Sequence, residues 1–256
     1  MGLFGVGNQV PTIFGGRNAI FGGRPVAAAP AGVVSEWCLS FDGVNDRVTT
    51  SLAMSSLISA STSTIACWVK PEGTSPSTTY VYQTGFVGDY GGYINLGRGK
   101  PANRGRVDRL WAYNWDGTED TIGVEYTIGE WCHIAMVHEA GQLTLYKDGV
   151  LIGSVASGNT ETLANTLAIG RLDLSYPFFN GRIDDVRIFN RALDPTEIAA
   201  LAANTANITT GMTARIAMEE GTGTTTEITD STGLPIGNAT IYGAAWSDQV
   251  PPALAP

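Results

Sequence analysis

The chain has 256 residues, 43% hydrophobic and 15% charged, which is enough apolar material for one sizeable core and too much for wholesale disorder. Its formal charge of −9 argues against nucleic-acid binding by the body, because such surfaces are basic. No apolar run approaches the roughly 18 residues that a membrane-crossing helix needs.

Residues 1–35 form a distinct stretch with a short internal echo, IFGGR at 13–17 and again at 20–24. They lack the basic start, continuous apolar segment and small-residue cleavage site of a secretory leader. Glycine at this density does not hold a helix, and no alternation persists long enough for a stable strand. A disordered tail is one reading. Phe4, Ile13, Phe14, Ile20 and Phe21 are too apolar for a solvated linker, however, and Arg17 and Arg24 make the stretch locally basic on an acidic protein. The expectation is therefore an extended arm whose anchors dock on another subunit.

From residue 36 the pattern is that of strands. Trp37, Leu39 and Phe41 alternate ahead of an Asp42-Gly43 turn, and the Ser-rich 51–63 leads into a strand at 64–70. Tyr80 to Thr84, Tyr90 to Leu96 and Arg109 to Trp115 read as further strands. Between the last two lies a basic loop with Arg98, Lys100, Arg104, Arg106 and Arg109, either plain solvation or a contact for an acidic neighbour. In WCHIAMVHEAGQLTLYKDG at 131–149, Trp131, His133, Ala135 and Val137 alternate with Cys132, Ile134, Met136 and His138. An Asp148-Gly149 turn then returns the chain along Val150 to Val155. GRIDDVRIFNRAL at 181–193 alternates again: Ile183, Asp185, Arg187 and Phe189 on one face, Asp184, Val186 and Ile188 on the other. Asp194 is placed to cap a short helix that starts at Pro195 and runs to about Ala203.

LSFDGVNDRV at 39–48, STIACWVKP at 63–71, the strand pair at 131–149 and GRIDDVRIFNRAL with its helix resemble, in order and spacing, the laminin G-like and pentraxin-like branch of the concanavalin A-like lectin/glucanase superfamily. The resemblance covers residues 36–203. It implies an all-β fold, a two-sheet antiparallel jelly-roll sandwich with one short helix, here joined to the extended N-terminal arm; by itself it says little about function. Residues 214–248 resemble the stretch that normally opens this family's domain. Thirty-five residues cannot build their own sandwich, so the expected domain runs 36–248 as an apparent circular permutation, followed by a tail at 249–256. Completion within the chain is favoured, with donation to a neighbouring subunit as the alternative.

The resemblance also implies a structural calcium ion at the sandwich rim. Matched residue by residue, Asp184 is the leading ligand, with the backbone oxygen of Gly43 and with Asp42 or Asp46. The competing reading is that Asp42 caps a turn and Asp184 accepts backbone hydrogen bonds. No other cofactor is expected. Glycoside hydrolases on this fold place carboxylates at alternate positions of one strand; Asp184-Asp185 and Glu219-Glu220 are adjacent, so each pair is expected to point to opposite faces. His133 and His138 are likewise expected to face apart, and no enzyme is predicted. Trp111, Tyr113 and Trp115 share one face of their strand, as core or as a platform for stacking sugars. Cys38, Cys67 and Cys132 lack paired spacing and read as buried free thiols, which suits folding in a reducing cytoplasm.

Such sandwiches are widespread adhesive modules and resemble domains on bacteriophage virions. The function expected is a non-enzymatic virion structural protein, a capsid decoration or tail-associated subunit, oligomeric in the assembly and docked to other virion subunits through its arm. The alternative is a calcium-assisted extracellular or cell-surface module that binds glycans.

Overall fold

In this computed structural model the described residues are 32–73, 84–89, 94–99, 108–139, 141–160, 162–171 and 177–254. The arm anchors Phe4, Ile13, Phe14, Arg17, Ile20, Phe21 and Arg24 lie outside them, as do Tyr80, Tyr82, Tyr90, Tyr93, Lys100, Arg104 and Arg106.

The chain runs through β1 (Cys38–Asp42), β2 (Arg47–Ala53), α1 (Met54–Leu57), β3 (Thr62–Pro71), β4 (Thr84–Asp89), β5 (Ile94–Gly99), β6 (Arg109–Trp115) and β7 (Glu119–Val124). It continues through β8 (Cys132–Glu139), β9 (Gln142–Lys147), β10 (Val150–Ala156), β11 (Thr166–Ile169), β12 (Asn180–Phe189) and α2 (Pro195–Ala202). It closes with β13 (Met212–Ile216), β14 (Thr225–Thr229), β15 (Pro235–Tyr242) and β16 (Ala245–Ser247). The strands follow one antiparallel path, β10-β9-β8-β3-β12-β13-β14-β15-β2-β11-β4-β5-β6-β7, while β1 pairs with both β12 and β16. The path curls so that β7 lies against β9 and β10, giving two layers bridged by β13 to β15. This is the antiparallel sandwich that the resemblance implies. The described residues include a second helix, the single turn α1, which the sequence reading did not anticipate.

Alternation decides what enters the core. In β8, Ile134 and Met136 point between the layers, while Ala135 and Val137 point outward. From β3 come Ile65, Cys67 and Val69, and the other layer answers with Val48, Phe86, Leu96, Leu110, Leu167 and Ile169. On the outside of the first layer, Ile198 and Leu201 of α2 seat on Ala66, Ala135, Val137, Tyr146 and Phe189. Small Ala66 and Ala135 let the helix approach, and burying each helix anchor is worth about 1.5–3 kcal/mol. As expected, Asp194 caps α2, accepting hydrogen bonds from Thr196 and Glu197, with Pro195 opening the helix. Asp148 and Gly149 both take positive φ, as a two-residue primed hairpin turn demands.

One expected alternation is interrupted. In β12 the register slips between Asp184 and Arg187, and Asp185 takes φ 46°. The extra residue is a β-bulge, and it resets the parity of everything after it. Ile183 therefore joins Val186 and Ile188 in the core, whereas Phe189 faces out beneath α2. Asp184 and Asp185 consequently do not point to opposite faces.

Residues 214–248 fall in β13 to β16 and pair within this chain, β13 with β12, β15 with β2 and β16 with β1. Ala214, Ile216, Ile228, Ala239 and Ile241 enter the same core as the earlier strands.

Candidate functional site

The second layer presents an aromatic row. On β6, Leu110 and Ala112 face the core, so Trp111, Tyr113 and Trp115 occupy the outer face together, and none of them belongs to the inter-sheet core. Their burial differs. Trp111 is 2% exposed, lies over Gly97 of β5, and its indole N–H has no hydrogen-bond partner among the described residues. Any side chain at Gly97 would overlap the Trp111 ring. Tyr113 meets Trp111 edge-on, with ring centroids 6.0 Å apart and planes at 74°. Tyr113 and Trp115 are half-buried. In register beside them, β7 sets Thr121 next to Tyr113 and Glu119 next to Trp115, and β5 sets Asn95 on the far side of Tyr113. Rings flanked by an amide, a hydroxyl and a carboxylate match the two halves of a sugar: an apolar ring face and a rim of hydroxyls. The sequence reading missed these flanking residues because Glu119–Val124 was not recognised as a strand. Its Thr121-Ile122-Gly123-Val124 alternation, one tight turn after LWAYNW, was the available signal.

The outer face of the first layer carries charge instead. Asp184 is fully buried; its carboxyl meets the Ser35 hydroxyl at 2.8 Å and accepts the Asp185 N–H at 2.7 Å. Burial, reinforced by the charge of Asp185, pushes its carboxyl well above the usual range. Asp185 behaves oppositely. Burial alone would raise it, but Arg187 at 2.8 Å and Arg215 at 2.7 Å outweigh that and hold it at about 2. Beside them lie Trp68 and His133, edge to face with centroids 5.5 Å apart.

The expected calcium ligands do not converge. Leu39 pairs with Ile183 and Asp42 with Asn180, so Asp184 sits about four residues along the ladder from Asp42, roughly 13 Å at about 3.3 Å per residue. Asp42, Gly43 and Asp46 do share one turn, which is satisfied internally: Asp42 accepts the Val44 N–H and Asp46 accepts the Asp42 N–H, both at 2.8 Å. Among the described residues no three His, Cys, Asp or Glu side chains gather as a metal site. These four residues therefore do not fit the ion, and Asp42 has the turn-capping role that was its alternative reading.

Other candidates for chemistry are structural. Glu219 accepts the Glu36 N–H and Glu220 accepts the Thr226 hydroxyl and the Glu227 N–H. His138 faces the core and bonds the Gly158 carbonyl at 2.8 Å, while His133 faces out. Arg98, expected on a basic surface loop, is instead buried: it ion-pairs with Asp108 at 3.1 Å and donates to the carbonyls of Glu72, Gly73 and Asn180. All three cysteines are buried free thiols.

The described ends meet on the charged side. The Ser35 N–H donates to the Leu254 carbonyl at 2.8 Å. Just after α2, the Asn204 amide donates to the carbonyls of Val33 and Ala253 and accepts from the Val33 N–H. Residues 32–35 and 253–254 thus lie side by side next to α2, on the side of the sandwich away from Tyr113 and Trp115.

No protein of curated function matches the chain in sequence. Among solved structures, a candidate carbohydrate-binding protein from Bacteroides ovatus is similar at a TM-score of 0.62 and 14% identity, over 84% of this chain and 60% of that one. The chain thus spans only about three-fifths of that relative's length. The native heptameric SAP-like pentraxin of Limulus polyphemus is similar at a TM-score of 0.52 and 13% identity, over 80% of this chain and 94% of that one. At such identities the likeness is one of fold. Residues 42–199 match the family directly, and the chain belongs to the concanavalin A-like lectin/glucanases superfamily.

Proposed function

We propose that this protein is a non-enzymatic, lectin-like module that binds glycans on the outer face of β5, β6 and β7, with Tyr113 and Trp115 as the stacking rings. The observation that carries the reading is that both rings stand outside the core, half-open, and flanked by Asn95, Thr121 and Glu119. The description of the Bacteroides ovatus relative as a carbohydrate binder supports the same ligand class. Glu219, Glu220 and His138 have structural partners, and His133 faces away from His138, which supports binding over hydrolysis.

We further propose that the module is displayed on a larger assembly, a virion, with residues 1–31 docking on a neighbouring structural subunit. The arm enters the sandwich at Asn204, on the α2 side, so anchoring there leaves the aromatic face turned outward. Glycan-array binding by the full chain, with Tyr113→Ala and Trp115→Ala variants, tests the first reading. Each lost ring is expected to weaken binding about five- to tenfold. Binding untouched by both variants refutes the assignment.

A further inference from the structure

At the end of the sandwich where β8 turns into β9, the core is polar. Ser63 of β3 and His138 of β8 pair across the ladder there, both fully buried and both turned between the layers like Ile65 and Met136. Asn114 of β6 is fully buried in the opposite layer. The chain leaving β10 is held between the two layers. The Gly158 N–H donates to Asp116 Oδ2 at 2.5 Å, and its carbonyl accepts from His138 Nε2 at 2.8 Å and from Asn114 Nδ2 at 3.2 Å. Asn114 Nδ2 also donates to the Ser157 hydroxyl at 2.9 Å, and the Thr160 hydroxyl donates to Asn114 Oδ1 at 2.7 Å. The Ser157 and Thr160 N–H groups donate to the carbonyls of Gly141 and Ala60. Residues 157–160 thus tie together β6, β8, the β8–β9 turn and the segment ahead of β3.

Of the groups in this network, the His138 imidazole is the one whose ordinary titration lies nearest neutral pH. Its bond to a carbonyl fixes Nε2 as the nitrogen that carries hydrogen, because a carbonyl only accepts. Nδ1 then holds the lone pair, and it is buried with no partner among the described residues, as is the hydroxyl of the paired Ser63. A proton arriving from solvent at Nδ1 places a full charge in an enclosed site with no acceptor bonded to it. The charged groups that act on the ring are Asp120 of β7 and Asp116 in the turn before it; β3 and β9 face it with Ser63 and Leu143. Burial outweighs the Gly158 carbonyl and both carboxylates, and holds the imidazole below its ordinary 6.5.

We infer that residues 157–160 form a pH-operated latch: protonation of His138 releases Gly158 and its neighbours from the end of the sandwich, and the neutral ring closes it again. Release reaches β6, because Asn114 and Asp116, which hold Gly158, alternate with Tyr113 and Trp115. The latch does not depend on what that aromatic row binds. The test is hydrogen exchange on the full chain between pH 7.5 and 5.5, read as protection relative to intrinsic exchange at each pH, with the His138 ring followed by NMR. An imidazole that regains its ordinary 6.5 on release lowers the protection of 157–160 by up to about tenfold over this range. His138→Gln, whose amide nitrogen can still donate to the Gly158 carbonyl, is expected to abolish the loss. Asp120→Asn, which removes a charge favouring the imidazolium in the closed state, is expected to keep or deepen it. Protection that ignores pH, a loss that survives in His138→Gln or vanishes in Asp120→Asn, or an imidazolium already present at pH 7.5 overturns the latch. So does an equal loss in β3 and β12, which is global acid unfolding. Should His138→Gln not fold, the Asp120→Asn series and the ring titration of the wild type still decide.

Discussion

Two adjacent aspartates offer the sharpest test of how this sandwich is held together. Asp185→Asn is the cleaner perturbation because asparagine tolerates the left-handed backbone at this position, φ 46°, as well as aspartate does. The change removes charge and little else. Asp185 is 6% exposed and Arg187 3%, so the variant leaves a buried guanidinium without its counter-charge. Breaking such a pair costs about 3–5 kcal/mol, which at a urea slope of about 3 kcal/mol/M lowers the midpoint by about 1–1.7 M. Asp184→Asn next door is expected to cost no more than about 1 kcal/mol at neutral pH, because burial already favours a neutral carboxyl there and an amide has the same shape. The pH dependence follows from the same geometry. Asp185 is held at about 2 against an ordinary 3.8, so its contribution is full above 3.8 and is lost as pH falls through 2. The size of that loss is about 2 kcal/mol. Equilibrium urea unfolding of the wild type and both variants, in EDTA at pH 7.5 and along an acid series, reads all of this. Equal midpoints for the two variants at pH 7.5, or a larger drop in Asp184→Asn, would refute the reasoning.

Three further outcomes are expected. Adding millimolar calcium to the EDTA-treated chain leaves the unfolding temperature unchanged; a rise of several degrees abolished by Asp184→Asn would restore the calcium reading. Burial holds the His133 imidazole at about 4, with Arg187 adding to the effect and Asp185 opposing it. Its folded value lies below the unfolded 6.5, so stability is full above 6.5 and falls by about 3 kcal/mol as pH drops toward 4. An acid limb between those values that survives in His133→Asn contradicts this assignment. Deleting residues 2–30 is expected to leave the circular dichroism and urea midpoint of the sandwich intact while abolishing incorporation into particles. Normal incorporation ends the display reading.

The fold was legible wherever one face of a strand is buried, because period-two alternation is then forced by the core. Residues 131–149 are the best case: Cys132, Ile134, Met136 and His138 inward, Ala135 and Val137 outward, with Asp148-Gly149 turning the hairpin. The alternation failed at Asp185 because a bulge adds one residue and leaves composition almost untouched. Two aspartates in mid-strand, where that residue is disfavoured, were the warning that the ladder breaks there. The calcium set failed for a different reason. Matching motifs placed Asp42 and Asp184 on neighbouring strands, but distance along a ladder depends on register, which only pairing fixes. Arg98 was read as surface because charge predicts exposure on average; four hydrogen-bond partners and the Tyr126 ring, from four separate stretches, cover it here.

The bulge also connects stability to the arrangement of surfaces. By turning Asp184 and Asp185 to one face, it gathers the buried charges outside the first layer, where Ser35, Arg187 and Arg215 can answer them. That same face receives α2, and Asn204 just after it holds Val33 and Ala253. Tyr113 and Trp115 lie across the core from this junction, on strands whose packing does not involve Asn204 or α2. Asn204→Gly, which removes three hydrogen bonds, accepts the φ of 50° at this position and leaves both layers packed, should loosen residues 32–35 and 253–254 to hydrogen exchange without changing exchange in β5, β6 or β7. Faster exchange spreading to β6 would mean that this junction and the second layer are coupled.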